Sequence, residues 1–280
     1  ENPKMKIREN LAASTGRINP SHVDGGILFH SPGSAGFLTS TGTTHASRTI
    51  MLKELRLLLA ACEPDADIDA YRAAIVDKNV LMKSTLSTRK HSFRSLRELY
   101  GLSPQLLIFR SMRELWNVDE SSQPLLALLC AAARDHILRA TVDFVLSTPQ
   151  GIEVTPDMFR QTVAEELPVT YQQATLSRIG RNTSSSWQQS GHLQGRIKKI
   201  RSQANCTPAN ATYALLLAHL SGAEGNAQFS HQFVQVLDVR EHEVRLHANA
   251  ASRQGWLEYR EAGGVTEVTF RHLLRSQETE

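Results

Sequence analysis

The chain has 280 residues, with 31 Lys and Arg against 28 Asp and Glu, a formal net charge of +3, 41% hydrophobic and 21% charged residues. That composition excludes a disordered polyelectrolyte, and the length predicts two or three modules sharing an extended core. Cys62, Cys130 and Cys206 form no C-x-x-C pair, which argues against a disulfide scaffold or a zinc cluster and predicts small buried hydrophobes in a reducing, cytoplasmic compartment.

The most apolar run, 125–133, is shorter than a membrane span and leads into Arg134 and Asp135, so it reads as a core helix and no membrane partner is expected. Lys4, Lys6 and Arg8 have no apolar region behind them, and the chain as it stands is read as lacking a secretory signal. Residues 1–45 are rich in Gly, Ser, Thr, Pro and Asn and predict an irregular arm, with a short helix near 6–12. Its glycines, Gly25-Gly26 and those of 33–36, lack the Lys-Ser/Thr of a phosphate loop and read as plain loop.

From residue 46 to 62 the pattern turns helical, with Ile50, Leu52, Leu55, Leu58 and Leu59 on one face, and 67–76 predicts a second helix. Ser87-Thr88 reads as an N-cap for a helix to Tyr100, closed by Gly101. Phe93, Leu96 and Tyr100 fall on one side of it, and Lys90, Arg94 and Arg97 on the other. Further helices are predicted over 104–116 and 124–146, the latter carrying Asp135, Arg139 and Asp143 at the spacing of an ion-pair ladder, with a linker over 147–154.

Thr155-Pro156 opens the next helix, to Leu167. After a break at Pro168-Val169-Thr170 a helix runs over 171–189, with Leu176, Ile179, Thr183 and Trp187 on one face and Arg178, Arg181, Ser185 and Gln188 on the other, Asn182 at its margin. This resembles a helix-turn-helix whose second member presents groups that reach phosphates and base edges. Residues 193–201, with Arg196, Lys198, Lys199 and Arg201, read as a wing beside it. Helices over 208–220, 229–237 and 241–253, then a hairpin of 256–260 and 265–270, predict a second module, whose Glu241, Glu243, Glu258, Glu261 and Glu267 suit packing or protein contact better than DNA.

The predicted fold is therefore mostly α with small β-hairpins. It comprises an N-terminal arm (1–45), a helical domain with a basic stripe (46–147), a winged helix-turn-helix-like module (155–203) and a second winged-helix-like module (206–274).

The positive charge is segregated. Residues 78–97 hold Lys78, Lys83, Arg89, Lys90, Arg94 and Arg97 without one acid, and none lies between Glu166 and Glu224, a stretch holding Arg178, Arg181, Arg196, Lys198, Lys199 and Arg201. In a nearly balanced chain, segregated bases suit a polyanion, so double-stranded DNA is the expected partner, bound mainly through phosphates with weak sequence preference. Expected DNA-binding residues are Lys83, Arg89, Lys90, Arg94, Arg97, Arg178, Arg181, Asn182, Ser185, Gln188, Arg196, Lys198, Lys199 and Arg201. The alternatives are a scaffold whose basic surfaces dock an acidic partner subunit, and an RNA-binding module for which only Trp187 and Tyr171 offer stacking.

No constellation calls for chemistry. His242 and His247 lack helical zinc spacing, Pro64-Asp65 and Pro156-Asp157 lack the later Asp/Glu-x-Lys of a nuclease, and there is no Gly-x-Ser-x-Gly elbow or dinucleotide fingerprint. A non-enzymatic protein without cofactor, metal or small-molecule substrate is expected.

Asn79-Val-Leu-Met-Lys-Ser-Thr-Leu-Ser-Thr-Arg-Lys90, continuing into Leu96-Arg-Glu-Leu-Tyr-Gly101, resembles the BrxA family of BREX bacteriophage-exclusion systems. Ala132-Ala-Arg-Asp-His-Ile-Leu-Arg139 and Gly255-Trp-Leu-Glu-Tyr-Arg260 with the Gly263-Gly264 turn are similar to it as well, so the resemblance spans about 36–274. The chain is longer than compact members of that family, chiefly through its arm. The resemblance implies a mostly helical, non-enzymatic DNA-binding component of a phage-resistance locus, with other BREX subunits as partners that carry the chemistry.

Overall fold

A computed structural model describes residues 35–38, 43–167 and 171–275. The predicted helix at 6–12, most of the arm with its glycine pairs, and the break at 168–170 lie outside the described residues.

The protein is mostly α-helical with two small antiparallel sheets. Helix α1 (Leu52–Ala61) buries Leu52, Leu55, Leu58 and Leu59. It begins later than the periodicity predicts, because Met51 takes a left-handed conformation at φ 52 and the chain just before it forms a 3₁₀ turn, Thr44–Ala46. Asp67 caps α2 (Ile68–Val76) by accepting from the Ala70 N–H. Thr85, rather than Ser87 or Thr88, caps α3 (Leu86–Tyr100), and Gly101 closes it at φ 86 as expected. Tyr100 ties α3 to the segment ahead of α1 by donating its hydroxyl to the Ile50 carbonyl.

Helix α4 (Leu107–Trp116) leads to α5 (Gln123–Arg134). The long helix predicted over 124–146 is broken: α5 stops at Asp135 (φ −120, ψ 110), which caps α6 (His136–Ala140), and Thr141 separates α6 from α7 (Val142–Ser147). An aspartate whose carboxylate takes its own downstream N–H groups competes with the helix it interrupts. The predicted ion-pair ladder is accordingly absent. Asp135 pairs with His45, and Arg139 donates to the carbonyls of Ala132 and Leu38.

The supposed linker contains strand β1 (Glu153–Val154). Then follow α8 (Pro156–Glu166), capped by Thr155, and α9 (Gln173–Gln189). Strands β2 (Leu193–Gln194) and β3 (Lys199–Arg201) complete an antiparallel sheet in the order β1-β3-β2, with Glu153 opposite Ile200 and Leu193 opposite Arg201. Helix, strand, two helices and a hairpin, with the last strand central, make a winged-helix arrangement.

Helix α10 (Pro208–Leu220) is buried from Ala209 to Ala218, which fits its Ala- and Leu-rich sequence, and it packs against α4 and α5. The helix predicted over 229–237 is two single turns, α11 (Asn226–Phe229) and α12 (Gln232–Gln235). Helix α13 (Glu241–Arg253) and the hairpin of β4 (Glu258–Ala262) and β5 (Val265–Thr269) match the helix expected over 241–253 and the hairpin expected after it. One continuous set of buried apolar side chains joins Ile50 to Leu273, with a satellite of Ile137, Val163, Leu176 and Ile179 under α8 and α9. Among the described residues, no helix is long and apolar enough to cross a membrane.

Candidate nucleic-acid interface

The placement of α9 follows from its sequence. Leu176 and Ile179 pack into the satellite cluster, Trp187 enters the main core with its indole N–H on Thr141 Oγ1 at 2.8 Å, and Gly180 lets α9 approach the start of α8. A Cβ on Gly180 would lie 2.3 Å from the Pro156 carbonyl oxygen, so no other residue fits without moving a helix. The opposite face is left to solvent: Arg178 and Arg181 are exposed, as are Gln172, Gln173 and Ala174 at the N-terminal end.

The inner polar side of α9 is fixed by the segment preceding α1. His45 Nδ1 lies 2.8 Å from Asp135 Oδ2 and its Nε2 lies 2.8 Å from Ser186 Oγ, while Asn182 Nδ2 donates to the His45 carbonyl at 2.9 Å and Gln189 Oε1 accepts from the Leu52 N–H at 3.0 Å. Burial alone would raise the Asp135 carboxyl. The His45 ring beside it, with hydrogen bonds from His45, Thr43 and the Leu138 N–H, outweighs that penalty and brings the group down to about 2. Asp135, His45 and Ser186 share the order of a hydrolytic relay, yet here they have a structural role. All three are buried, and Ser186 Oγ already accepts from the Ile50 N–H and donates to the Asn182 carbonyl, leaving no open face for a substrate.

The fourteen expected DNA contacts divide by environment. Lys90, Arg94 and Arg97 on α3, Arg178 and Arg181 on α9, and Arg196 in the wing are exposed, and none has an ion-pair partner among the described residues. Lys198 is exposed and loosely held by Glu153 at 3.8 Å. Gln188 is half-buried.

The other expected residues are used by the fold itself. Lys199 is buried, its Nζ donating to Ser184 Oγ at 2.9 Å and Ser185 Oγ at 3.0 Å, and burial lowers its pKa. Arg201 is buried in a bidentate pair with Asp238, at 2.7 and 2.9 Å, and also donates to the Val145 carbonyl at 2.8 Å. Both assignments to DNA are therefore corrected: successive strand residues face opposite ways, so Lys199 and Arg201 turn inward together. Ser185 is occupied by Lys199 and Asn182 by His45. Lys83 pairs with Glu54 at 2.9 Å, and Arg89 donates to the carbonyls of Val76 and Lys83, closing the end of α2. A stretch free of acid in sequence is not free of acid in space, since Glu54, Glu153 and Asp238 arrive from other elements.

Two features escaped the sequence reading. Gln172 and Gln173 are exposed at the N-terminal turn of α9, and only the helix start itself marks them. The Thr44–Ala46 turn, which packs against both α3 and α9, also joins the two basic helices: Thr44 Oγ1 donates to Glu98 at 2.9 Å, and the next residue holds Asn182 and Ser186.

The chain matches no protein-family model, and no curated protein is significantly similar to it.

Proposed function

We propose that this protein binds double-stranded DNA without catalysing a reaction, through the exposed face of α9 and the adjoining wing, with α3 as an accessory basic surface. What carries the reading is a winged-helix arrangement whose outward Arg178, Arg181 and Arg196 lack acidic partners among the described residues. Bases without local acids leave a positive potential on one face, and a polyanion gains counterion release by covering it. The residues similar to the BrxA family make a role in a BREX phage-defence system, beside partner subunits that hold the chemistry, the setting we favour.

The last module differs from this basic surface in charge. Glu241, Glu243, Glu258 and Glu261 in the last module are engaged by Arg245, Arg240, Arg260 and Arg271, so that module adds little free positive charge and suits protein contact. RNA binding loses a support, because Trp187 is fully buried and offers no stacking face. The test is fluorescence anisotropy with unrelated duplexes, single-stranded RNA as competitor, over a salt series. Duplex binding that weakens steeply with salt and resists RNA competition is expected. Absence of duplex binding, with capture of an acidic partner subunit instead, would leave the scaffold ahead.

A further inference from the structure

Ile197 is 96% exposed, at the tip of the hairpin between β2 and β3. A lone exposed apolar residue needs no explanation, but the way this one is presented does. Gly195 sits at φ +98, and a Cβ there would lie 2.0 Å from the Lys198 carbonyl oxygen, so the turn closes as tightly as glycine permits. Immediately below, Lys199 is bonded to Ser184 and Ser185, which ties the hairpin to α9. The tip is thus a fixed projection beside the exposed helix, and a β-branched side chain adds stiffness. Its neighbours are the exposed Arg196 and Lys198.

A stiff apolar side chain between two cations is poorly suited to a protein partner, which would recognise a continuous apolar patch. The other exposed isoleucine of this sheet, Ile152, lies at the far end of the hairpin, where its carbonyl accepts from the Arg201 N–H. Cation, wedge and cation instead match a DNA minor groove: the bases engage the phosphate walls and the apolar group enters between base pairs, prying them apart.

We propose that Ile197 is a wedge for the minor groove of duplex DNA, inserted at a flexible pyrimidine–purine step and bending the duplex while α9 engages the neighbouring groove. This rests on the reading that α9 and the wing bind duplex DNA. The experiment uses the full chain with end-labelled duplexes carrying a central TA step or a stiff A-tract, reading affinity by anisotropy and bending by energy transfer between the ends. The wild type is expected to bend the TA duplex by about 20° or more. Ile197→Ser should bind about three- to tenfold more weakly without bending, and Ile197→Phe, still a wedge, should restore the bend. Binding without bending in the wild type, or equal bending by Ile197→Ser, would overturn the wedge and leave the DNA-binding reading standing. If the wild type binds neither duplex, both fall together.

Discussion

At the residue scale, charge type alone does not separate a contact from a strut. Lys198 and Lys199 are adjacent, yet one is exposed and the other is fixed to two serines of α9. Arg201→Ala would leave Asp238 and several carbonyls without their buried donor, and should destabilise the fold by about 3 kcal/mol or more in chemical denaturation. His192 is a second test. Burial pushes its pKa from 6.5 down to about 4, against opposing help from the Val236 carbonyl and Asp238, with Arg201 acting in the same direction as burial. Between those values the unfolded chain binds a proton that the folded chain does not, so stability falls as pH drops from about 6.5 to about 4, by roughly 3 kcal/mol in total. Urea midpoints at pH 7 and 4.5 should diverge less in His192→Asn than in the wild type. Lys90, Arg94, Arg97, Arg178 and Arg181 were legible in the sequence because helical spacing sorts faces. Lys199 and Arg201 were not, because Asp238 and the serines that hold them are brought in by tertiary packing.

At the scale of elements, local chemistry announced most helices. Thr155-Pro156, Asp67, Gly101 and the run from Pro208 mark ends where structure and sequence agree within a residue or two. The failures have physical causes. Asp135 reads as a helix-surface acid but is recruited by His45, 90 residues away, and breaks the helix it was placed in. Strand β1 has two residues and becomes a strand only because β3 pairs with it. The α8–α9 junction offers a direct test: Gly180→Ala inserts a methyl against the Pro156 carbonyl, and should cost about 1–3 kcal/mol and weaken duplex binding by displacing α9. Asp135→Asn should cost roughly 2 kcal/mol, since it removes the buried carboxylate that accepts from Thr43, the His45 ring and the Ile137 N–H. Because the Asp135 carboxyl titrates near 2 in the fold, the wild type loses this contribution only as pH falls from about 4 to about 2, and the variant should lack that part of the acid transition.

At the scale of the whole molecule, the charge segregation seen in sequence survives folding in reduced form. Lys83, Arg89, Lys199 and Arg201 are consumed internally, while α3, α9 and the wing keep their outward bases. Since α3 and α9 pack against the same short turn, Lys90→Glu, Arg94→Glu and Arg97→Glu together should reduce duplex affinity by about tenfold with an unchanged melting temperature. The measurement that bears most directly on the central claim is a salt titration of duplex binding by the wild type and by the Arg178→Glu, Arg181→Glu double variant. Contacts from Arg178, Arg181, Arg196 and Lys198, with Lys90, Arg94 and Arg97 on α3, predict a wild-type slope of log affinity against log salt of roughly −6, and a double variant at least about tenfold weaker with a shallower slope and the same melting temperature. Equal affinity and slope in the two proteins, with both folded, would contradict the account.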